Sequence, residues 1–155
     1  MKVVFAQEKL ATAYEDGKAL FLAHWDEIGT TKEVMQYEPN LPAYAAMERL
    51  GMLRILTARD ETGAMIGYFY AIIMPHLHYR ASICSFCDIF FLDPTHRQGL
   101  LGYQLLREAT KMLEGLGVVK SFIPTKIAHP TAGKLLERLG YHPHEVVYTK
   151  LLREA

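Results

Sequence analysis

The spacing of apolar residues at the start of the chain predicts a short strand and two helices. Residues 3–7 are typical of a strand. Apolar side chains then recur roughly on one helical face, which predicts a helix over residues 8 to about 24. Residues 29–40 are polar and break this period. Residues 41–50 carry a proline in their first turn and precede a glycine, so we expect a second helix there.

The middle of the chain predicts three consecutive strands. Residues 53–58 and 66–73 are strand-like, and Asp60 and Gly63 between them suit a hairpin turn. A third apolar run covers residues 83–92. Because short connections join antiparallel neighbours, we expect these strands to pair antiparallel.

Helices and strands alternate in the last part of the chain. The pattern predicts a helix, a strand, a helix and a strand, over residues 100–116, 119–123, 131–139 and 145–151. Strand–helix–strand units favour parallel neighbours. The predicted fold class is therefore α/β of the α+β kind, with a mixed, mostly antiparallel central sheet and about four flanking helices.

Length and composition fit one folded domain over residues 1–155, half of whose residues are apolar. No apolar stretch approaches the roughly 20 residues that span a bilayer. The start lacks the basic region, apolar block and cleavage site of a signal peptide. We therefore expect a cytoplasmic protein without a membrane partner.

The chain is electrically balanced, with 17 Lys and Arg residues against 17 Asp and Glu residues. It lacks the electrostatic footprint of a nucleic-acid-binding protein, so nucleic acid is not an expected partner. Cys84 and Cys87 are too few for a disulfide framework. They are three apart in a strand and face opposite sides, so they do not converge on zinc with His76 and His78, and no metal is expected.

The stretch from Pro94 to Gly102 joins a strand end, a basic loop and a helix start. Unpaired N–H groups and the helix dipole favour an anion at such a place. Gly99 allows a tight turn, and Arg97 can give a phosphate two parallel hydrogen bonds. The stretch is neither a P-loop nor the dinucleotide fingerprint, because it lacks their defining residues. Its chemistry alone fits a pyrophosphate site or an ordinary loop.

Two motifs in the second half of the chain resemble those of the GCN5-related N-acetyltransferases (the GNAT family). The acetyl-CoA-binding motif of that family, Arg or Gln, two residues, Gly, one residue, then Gly or Ala, is similar to RQGLLG, which follows PTH. Arg97 and Gly102 match the motif. The middle glycine is displaced to Gly99, and Leu100 takes its place. The second motif of the family is similar to HPTAGKLLERLGY.

The resemblance implies that the chain binds acetyl-CoA where the central sheet splays apart. The pantetheine arm would hydrogen-bond to the main chain of Phe90, Phe91 and Leu92. The pyrophosphate would lie on the amides at the start of the helix that follows. The other implied cofactor-binding residues are Arg97, Gln98, Gly99, Leu100, Leu101, Gly102, Tyr103 and His129.

The implied reaction, direct attack of an amine on a thioester, needs a base, and Asp88 is the best candidate. It lies within an apolar run, and in a regular strand it shares a face with Phe86 and Phe90. A purely structural carboxylate, paired with Arg80 or with a backbone amide, fits the sequence equally well.

The sequence indicates the acid that protonates the leaving thiolate less clearly than it indicates the base. Leu136 stands where the family often has a tyrosine, and leucine cannot donate a proton. His129 and Tyr148 are the remaining candidates. His129 also suits a plain residue at the start of a helix.

Candidate acceptor-binding residues lie at the end of the first predicted helix, where the family builds its acceptor site. Trp25 and Glu27 can bind a cationic amine, with His24 beside them. His76 and His78 are further candidates to line the acceptor pocket. Structural interpretations stay open for each: a partly buried anchor for Trp25, a solvent-facing helix end for Glu27, and a solvated loop for the two histidines.

We therefore interpret the chain as an acetyl-CoA-dependent N-acetyltransferase acting on a small-molecule or protein amine. Two alternatives stay open. One is a CoA-binding or interaction module with little or no turnover, which Leu100 and Leu136 favour because they replace residues of the two motifs. The other is a nucleic-acid-modifying acyltransferase. The chain as a whole also resembles acetyltransferase-like proteins encoded by phages, which act in the host cytoplasm, and a homodimer is compatible with the resemblance.

Overall fold

The computed structural model describes residues 2–152, and the structural statements below concern that part of the chain. Its helices are α1 (Leu10–Ile28), α2 (Leu41–Arg49), α3 (Leu101–Gly115) and α4 (Pro130–Arg138). Its strands are β1 (Val4–Gln7), β2 (Leu53–Arg59), β3 (Met65–His76), β4 (Tyr79–Leu92) and β5 (Lys120–Phe122). Among the described residues, no helix has both the length and the apolar character needed to cross a bilayer.

The sheet confirms the predicted fold class. Its five strands lie in the order β1-β2-β3-β4-β5. Strands β1 to β4 pair antiparallel, whereas β5 runs parallel to β4. The parallel pair follows from the crossover through α3, which returns the chain to the starting end of β4.

Each face of the sheet has its own apolar cluster and its own helices. On one face, Leu105 of α3 and Leu136 of α4 belong to the cluster that includes Phe69. On the opposite face, Phe21 of α1 belongs to a cluster with Tyr68, and α2 packs against it. Phe69 and Tyr68 face opposite ways because side chains alternate along β3. The cluster beneath α1 and α2 is the more aromatic of the two.

Strands β4 and β5 pair over a short stretch and then separate. Their last paired residues are Phe86 and Phe122, whose rings stack at 5.0 Å with an interplanar angle of 4°. Strand β4 continues to Leu92, whereas β5 ends at Phe122. Within the described residues, the β5 side of β4 therefore has no strand partner beyond Phe86. This uncovered edge of β4 lies where the resemblance implies the splay.

Asp88 occupies a β-bulge in β4. On β3, Ala71 pairs with Cys87 and the preceding Tyr70 pairs with Ile89, so Asp88 is the extra residue between them. A bulge interrupts the alternation of side chains and re-aims the residue that it contains.

The bulge overturns the expectation that Asp88 shares a face with Phe90. Phe90 packs against the cluster beneath α3 and α4. Asp88 is exposed and contacts Tyr44 of α2, on the opposite side of the sheet. The prediction from regular alternation was wrong because it assumed an uninterrupted strand.

The strand predicted over residues 145–151 is not formed, so that prediction was wrong. Within the described chain, the residues after α4 form no helix or strand. Val146, Val147 and Tyr148 are 68%, 73% and 91% exposed. The edge strand β5 is three residues long and offers little backbone for pairing. Pro143, just before the segment, also lacks the N–H group that a ladder needs.

Candidate functional site

A cavity of about 280 Å³ lies between α1, α2, the loop that joins them, and strands β3 and β4. Much of its wall is aromatic, because alternate residues of β3 point toward α1 and the loop folds over them. Among the lining residues are His24, Trp25, Tyr37, Tyr44, Tyr68 and Tyr70. The cavity therefore contains two of the predicted acceptor-binding residues, His24 and Trp25.

Tyr44 connects this cavity to Asp88. Its ring meets that of Tyr70 edge-on at 6.2 Å, and its hydroxyl donates a hydrogen bond to Oδ2 of Asp88. Burial and the Asp88 carboxylate raise the pKa of Tyr44 well above its ordinary value, so the hydroxyl stays protonated. The hydrogen bond fixes one oxygen of Asp88 and leaves Oδ1 to face another donor.

His24 is buried in the wall of the cavity, where it is 8% exposed. Its Nδ1 lies 2.6 Å from the Tyr68 hydroxyl, and its ring stacks on Phe91 at 4.5 Å. Burial lowers the pKa of His24 to about 4, even though the Glu27 carboxylate opposes the shift. Burial also raises the pKa of Tyr68. At neutral pH, the Tyr68 hydroxyl is therefore hydrogen-bonded to an uncharged His24, which holds the wall together rather than carrying charge.

We expect His24 to make the folded protein sensitive to acid. Its ordinary pKa of 6.5 applies to the unfolded chain, whereas the folded value is about 4. As the pH falls through this window, the unfolded state binds the proton first, and stability decreases. The contribution is complete above pH 6.5, and about 3 kcal/mol is lost by pH 4.

Urea unfolding of the wild type and of His24→Asn, at several pH values, isolates this effect. Asparagine can hydrogen-bond to the Tyr68 hydroxyl as acceptor or as donor but does not titrate. The decline in the free energy of unfolding between pH 6.5 and pH 4 should be smaller in the variant. Identical declines in the two proteins would contradict the assignment.

The turn before α3 presents backbone amides to solvent. Gly99 has φ +83, in the left-handed region that other residues rarely adopt. Leu100, which is 67% exposed, precedes the helix and supplies no side-chain acceptor to its first N–H groups. Gly102 serves helix packing, because a Cβ there would lie 3.2 Å from Leu135 of α4. The start of α3 therefore lies close to α4 and has no side-chain cap.

Arg97 is bound on several sides. Its Nε donates to the carbonyl of Leu92 at 2.8 Å, and Nη1 and Nη2 donate to the two carboxylate oxygens of Glu27, each at 2.7 Å. The guanidinium also lies 4.9 Å from the ring centre of Phe91. Arg97 lowers the pKa of Glu27, with a further contribution from His129. This ion pair ties the end of α1 to the turn, and Glu27 is not among the residues that line the cavity.

The two candidates for the acid lie in different surroundings. His129 is exposed immediately before α4. Tyr148 is 91% exposed in the segment after α4. Leu136 is 6% exposed and belongs to the core. Neither candidate is among the residues that line the cavity, and both stay predictions.

His76 and His78 lie at the tip of the hairpin between β3 and β4. The amide of His78 donates to Nδ1 of His76 at 3.1 Å, and neither residue lines the cavity. Cys84 and Cys87 are buried, and burial raises the pKa of the Cys87 thiol. In the part of the chain that the structure describes, no group of three or more His, Cys, Asp or Glu residues is arranged to hold a metal ion.

Comparison with known proteins finds relatives of the fold. No family model matches the chain, and no curated protein matches it. An aminoglycoside acetyltransferase, meta-AAC0020, from an uncultured soil metagenomic sample superposes with a TM-score of 0.75 at 10% identity, over 97% of both chains. The ribosomal-protein-alanine N-acetyltransferase from Brucella melitensis biovar Abortus 2308 gives 0.71 at 14%, over 98% of this chain and 100% of that one.

A third structure with the same fold carries a CoA derivative. This structure is AAC(6')-Iy in complex with the bisubstrate analogue CoA-S-monomethyl-acetylneamine. It superposes with a TM-score of 0.70 at 19% identity, over 99% of both chains. At such identities the likeness establishes the fold. The fold of this chain is that of the GCN5-related N-acetyltransferases, as its two sequence motifs indicate.

Proposed function

We propose that this chain, as one domain over residues 1–155, is an acyltransferase that moves an acetyl group from acetyl-CoA to an amine. The observation that carries the proposal is the position of Asp88. The bulge directs its carboxylate toward α2, next to an aromatic cavity, on the stretch of β4 that β5 no longer covers. The same-fold structures named above are acetyltransferases, one of them with a CoA-derived analogue, which supports the choice of donor.

The residues at the splay fit CoA. The edge of β4 without a strand partner offers the main chain of Phe90 and Phe91 to the pantetheine arm, while the Leu92 carbonyl already accepts from Arg97. The amides from Gln98 to Gly102 lie in the turn before α3 and in its uncapped first residues, a place that suits a pyrophosphate. We add Tyr103, in the first turn of α3, and His129, before α4, to this set.

In this proposal Arg97 holds the turn before α3 in place and does not itself bind the pyrophosphate. Both of its terminal nitrogens are bound to Glu27, and its Nε holds the end of β4. It therefore fixes the turn against α1 and β4, so that the amides keep their direction. Glu27 completes that support instead of binding the acceptor.

Bound acetyl-CoA supplies the acetyl group as a thioester: the amine nitrogen bonds to its carbonyl carbon, the carbon–sulfur bond breaks, and CoA leaves as a thiolate. Asp88 accepts the proton that the amine loses, through Oδ1, directly or through one water. The Tyr44 hydroxyl holds Oδ2 and so orients the carboxylate. His129 or solvent returns a proton to sulfur.

The acceptor in this proposal is a small-molecule or protein amine. The aminoglycoside, protein and sugar-phosphate acetyltransferases that share the fold show that it accommodates acceptors of very different size. A cytoplasmic location, a phage origin and a homodimer rest on the sequence alone and stay predictions.

Amine-dependent release of CoA tests the proposal. With acetyl-CoA and a panel of primary amines, a thiol-reactive dye should report turnover on the order of 1 s⁻¹ or faster for the preferred amine. Mass spectrometry should find one added acetyl group on that amine. Binding of acetyl-CoA without release, for every amine in a broad panel, would instead support the CoA-binding module without turnover.

A further inference from the structure

The aromatic cavity carries little charge. Among the residues that line it, Glu38 is the acidic one, and there is no Lys or Arg. His24, the other ionisable group of that wall besides the tyrosines, is uncharged at neutral pH because of its burial. Asp88 stands just beyond the wall, held by Tyr44. Because Asp88 serves the reacting amine in the proposed transfer, Glu38 is left as the single acidic group of the wall, and the cavity offers no carboxylate partners to the several charges of a polycation.

Aromatic faces add to this preference. A cation near the face of a tyrosine or tryptophan ring is attracted by the ring's electron density. Tyr37, Tyr44 and Trp25 line the cavity from the loop, α2 and α1, so rings surround it on three sides. The Lys32 ammonium already lies 5.5 Å from the centre of the Trp25 ring, so the rings of Tyr37 and Tyr44 are left to attract a bound cation. A polycation would have to leave additional ammonium groups without carboxylate partners, which is costly in a mostly apolar site.

The size of the cavity limits the rest of the ligand. Its volume of about 280 Å³ lies at the lower end of the range for small-molecule pockets. Phe21, Leu10 and Ile89 complete the wall with apolar surface. The cavity therefore suits one ring or a short aliphatic body.

Tyr70 provides a separate indication that the cavity binds a ligand. Its ring lines the cavity and is 2% exposed, and its buried hydroxyl has no hydrogen-bond partner in the described residues. Buried hydroxyls without partners are uncommon in folded proteins. This one marks a polar group next to the cavity that a ligand or its bound water can satisfy.

We propose that the acceptor is a primary monoamine on a single aromatic or short aliphatic body, with that body in the cavity and its nitrogen facing Asp88. This inference rests on the proposed acetyl transfer and narrows its substrate class. The amine approaches Asp88 past Tyr44, whose ring forms the wall and whose hydroxyl orients the base.

Trp25 allows a direct binding test without acetyl-CoA, because it is the single tryptophan of the chain and lines the cavity. Three probes are titrated while its fluorescence is recorded: 2-phenylethylamine, the uncharged 2-phenylethanol, and the aminoglycoside sisomicin. We expect 2-phenylethylamine to saturate and to bind about tenfold more tightly than the alcohol. Sisomicin should bind more weakly than 2-phenylethylamine.

Matched variants localise the effect. Tyr37→Leu keeps an apolar side chain but removes a ring face, and Glu38→Gln removes the charge. Each should weaken 2-phenylethylamine several-fold and leave 2-phenylethanol nearly unchanged. Tyr79→Leu, at the exposed hairpin tip, is the control and should change neither ligand.

Three results would overturn the inference: equal affinity for the amine and the alcohol, tighter binding of sisomicin, or no saturation by 2-phenylethylamine in either fluorescence or calorimetry. Each of these three results can be told apart from a failure of the proposed acetyl transfer. If acetyl-CoA binds and a polyamine is acetylated, acetyl transfer stands and the monoamine class is rejected. If 2-phenylethylamine binds as expected but acetyl-CoA does not, the cavity is real and the transfer reaction is rejected.

Discussion

Replacing Asp88 with asparagine is expected to lower kcat for acetyl transfer by about 10²–10⁴-fold. Asparagine has nearly the same size and still offers an oxygen to the Tyr44 hydroxyl, but it cannot take a proton from the amine. Asp88 is exposed at a bulge, so the substitution removes no core packing. The measurement is the rate of CoA release at saturating acetyl-CoA and amine.

The affinity for acetyl-CoA serves as the control and should not change in Asp88→Asn. Tyr44→Phe separates orientation from chemistry, because it keeps the ring in the cavity wall and removes the hydroxyl that holds Asp88. It should lower kcat by less than Asp88→Asn while the KM for the amine stays close to wild type. Wild-type turnover in Asp88→Asn would show that another group takes the proton.

Leu100→Asp is expected to weaken the binding of acetyl-CoA by at least about tenfold. The new carboxylate lies at the start of α3, where it repels the pyrophosphate and competes for the same amides. Leu100 is 67% exposed, so little packing is lost. The helix dipole favours a negative charge at this end, and the protein without ligand should keep its melting temperature or gain slightly.

Leu100→Asn is the matched control, because asparagine has the shape of aspartate and can compete for the same amides but carries no charge. Acetyl-CoA should bind more tightly to Leu100→Asn than to Leu100→Asp, and the difference reports the charge repulsion. Leu100→Asp is a sharper test than Arg97→Glu. Arg97 is bound to Glu27, so a glutamate there would place two carboxylates together and reduce stability as well as binding. Undiminished acetyl-CoA affinity in Leu100→Asp would remove the start of α3 from the cofactor site.

The regular elements were predictable from sequence because their signals are local. The period of apolar residues predicted α1, α3 and α4, and the proline and glycine at its two ends predicted α2. Gly99 has the positive φ that suits a tight turn. The three consecutive predicted strands indicated the antiparallel part of the sheet, and the strand–helix–strand pattern after them indicated its parallel pair. The prediction of the last strand was wrong because a strand needs the free edge of a neighbouring strand to pair with, and sequence periodicity does not reveal whether such an edge exists.

The site was less predictable because it depends on contacts between distant residues. The bulge at Asp88 is a property of the pairing of β4 with β3, and no residue type marks it. Tyr44 lies 44 residues from Asp88, so nothing in its neighbourhood indicated a role beside that carboxylate. Arg97 and Glu27, assigned separately to cofactor and acceptor, prove to be ion-pair partners.

The most direct test of the central claim is a calorimetric titration of acetyl-CoA into the wild-type chain. The account predicts saturable binding of one acetyl-CoA per chain, with a rise in melting temperature of about 5–10 °C at a hundredfold excess over Kd. Adenosine without the pyrophosphate and pantetheine should bind far more weakly. No binding of acetyl-CoA or CoA at millimolar concentration, with the protein folded, would contradict the account.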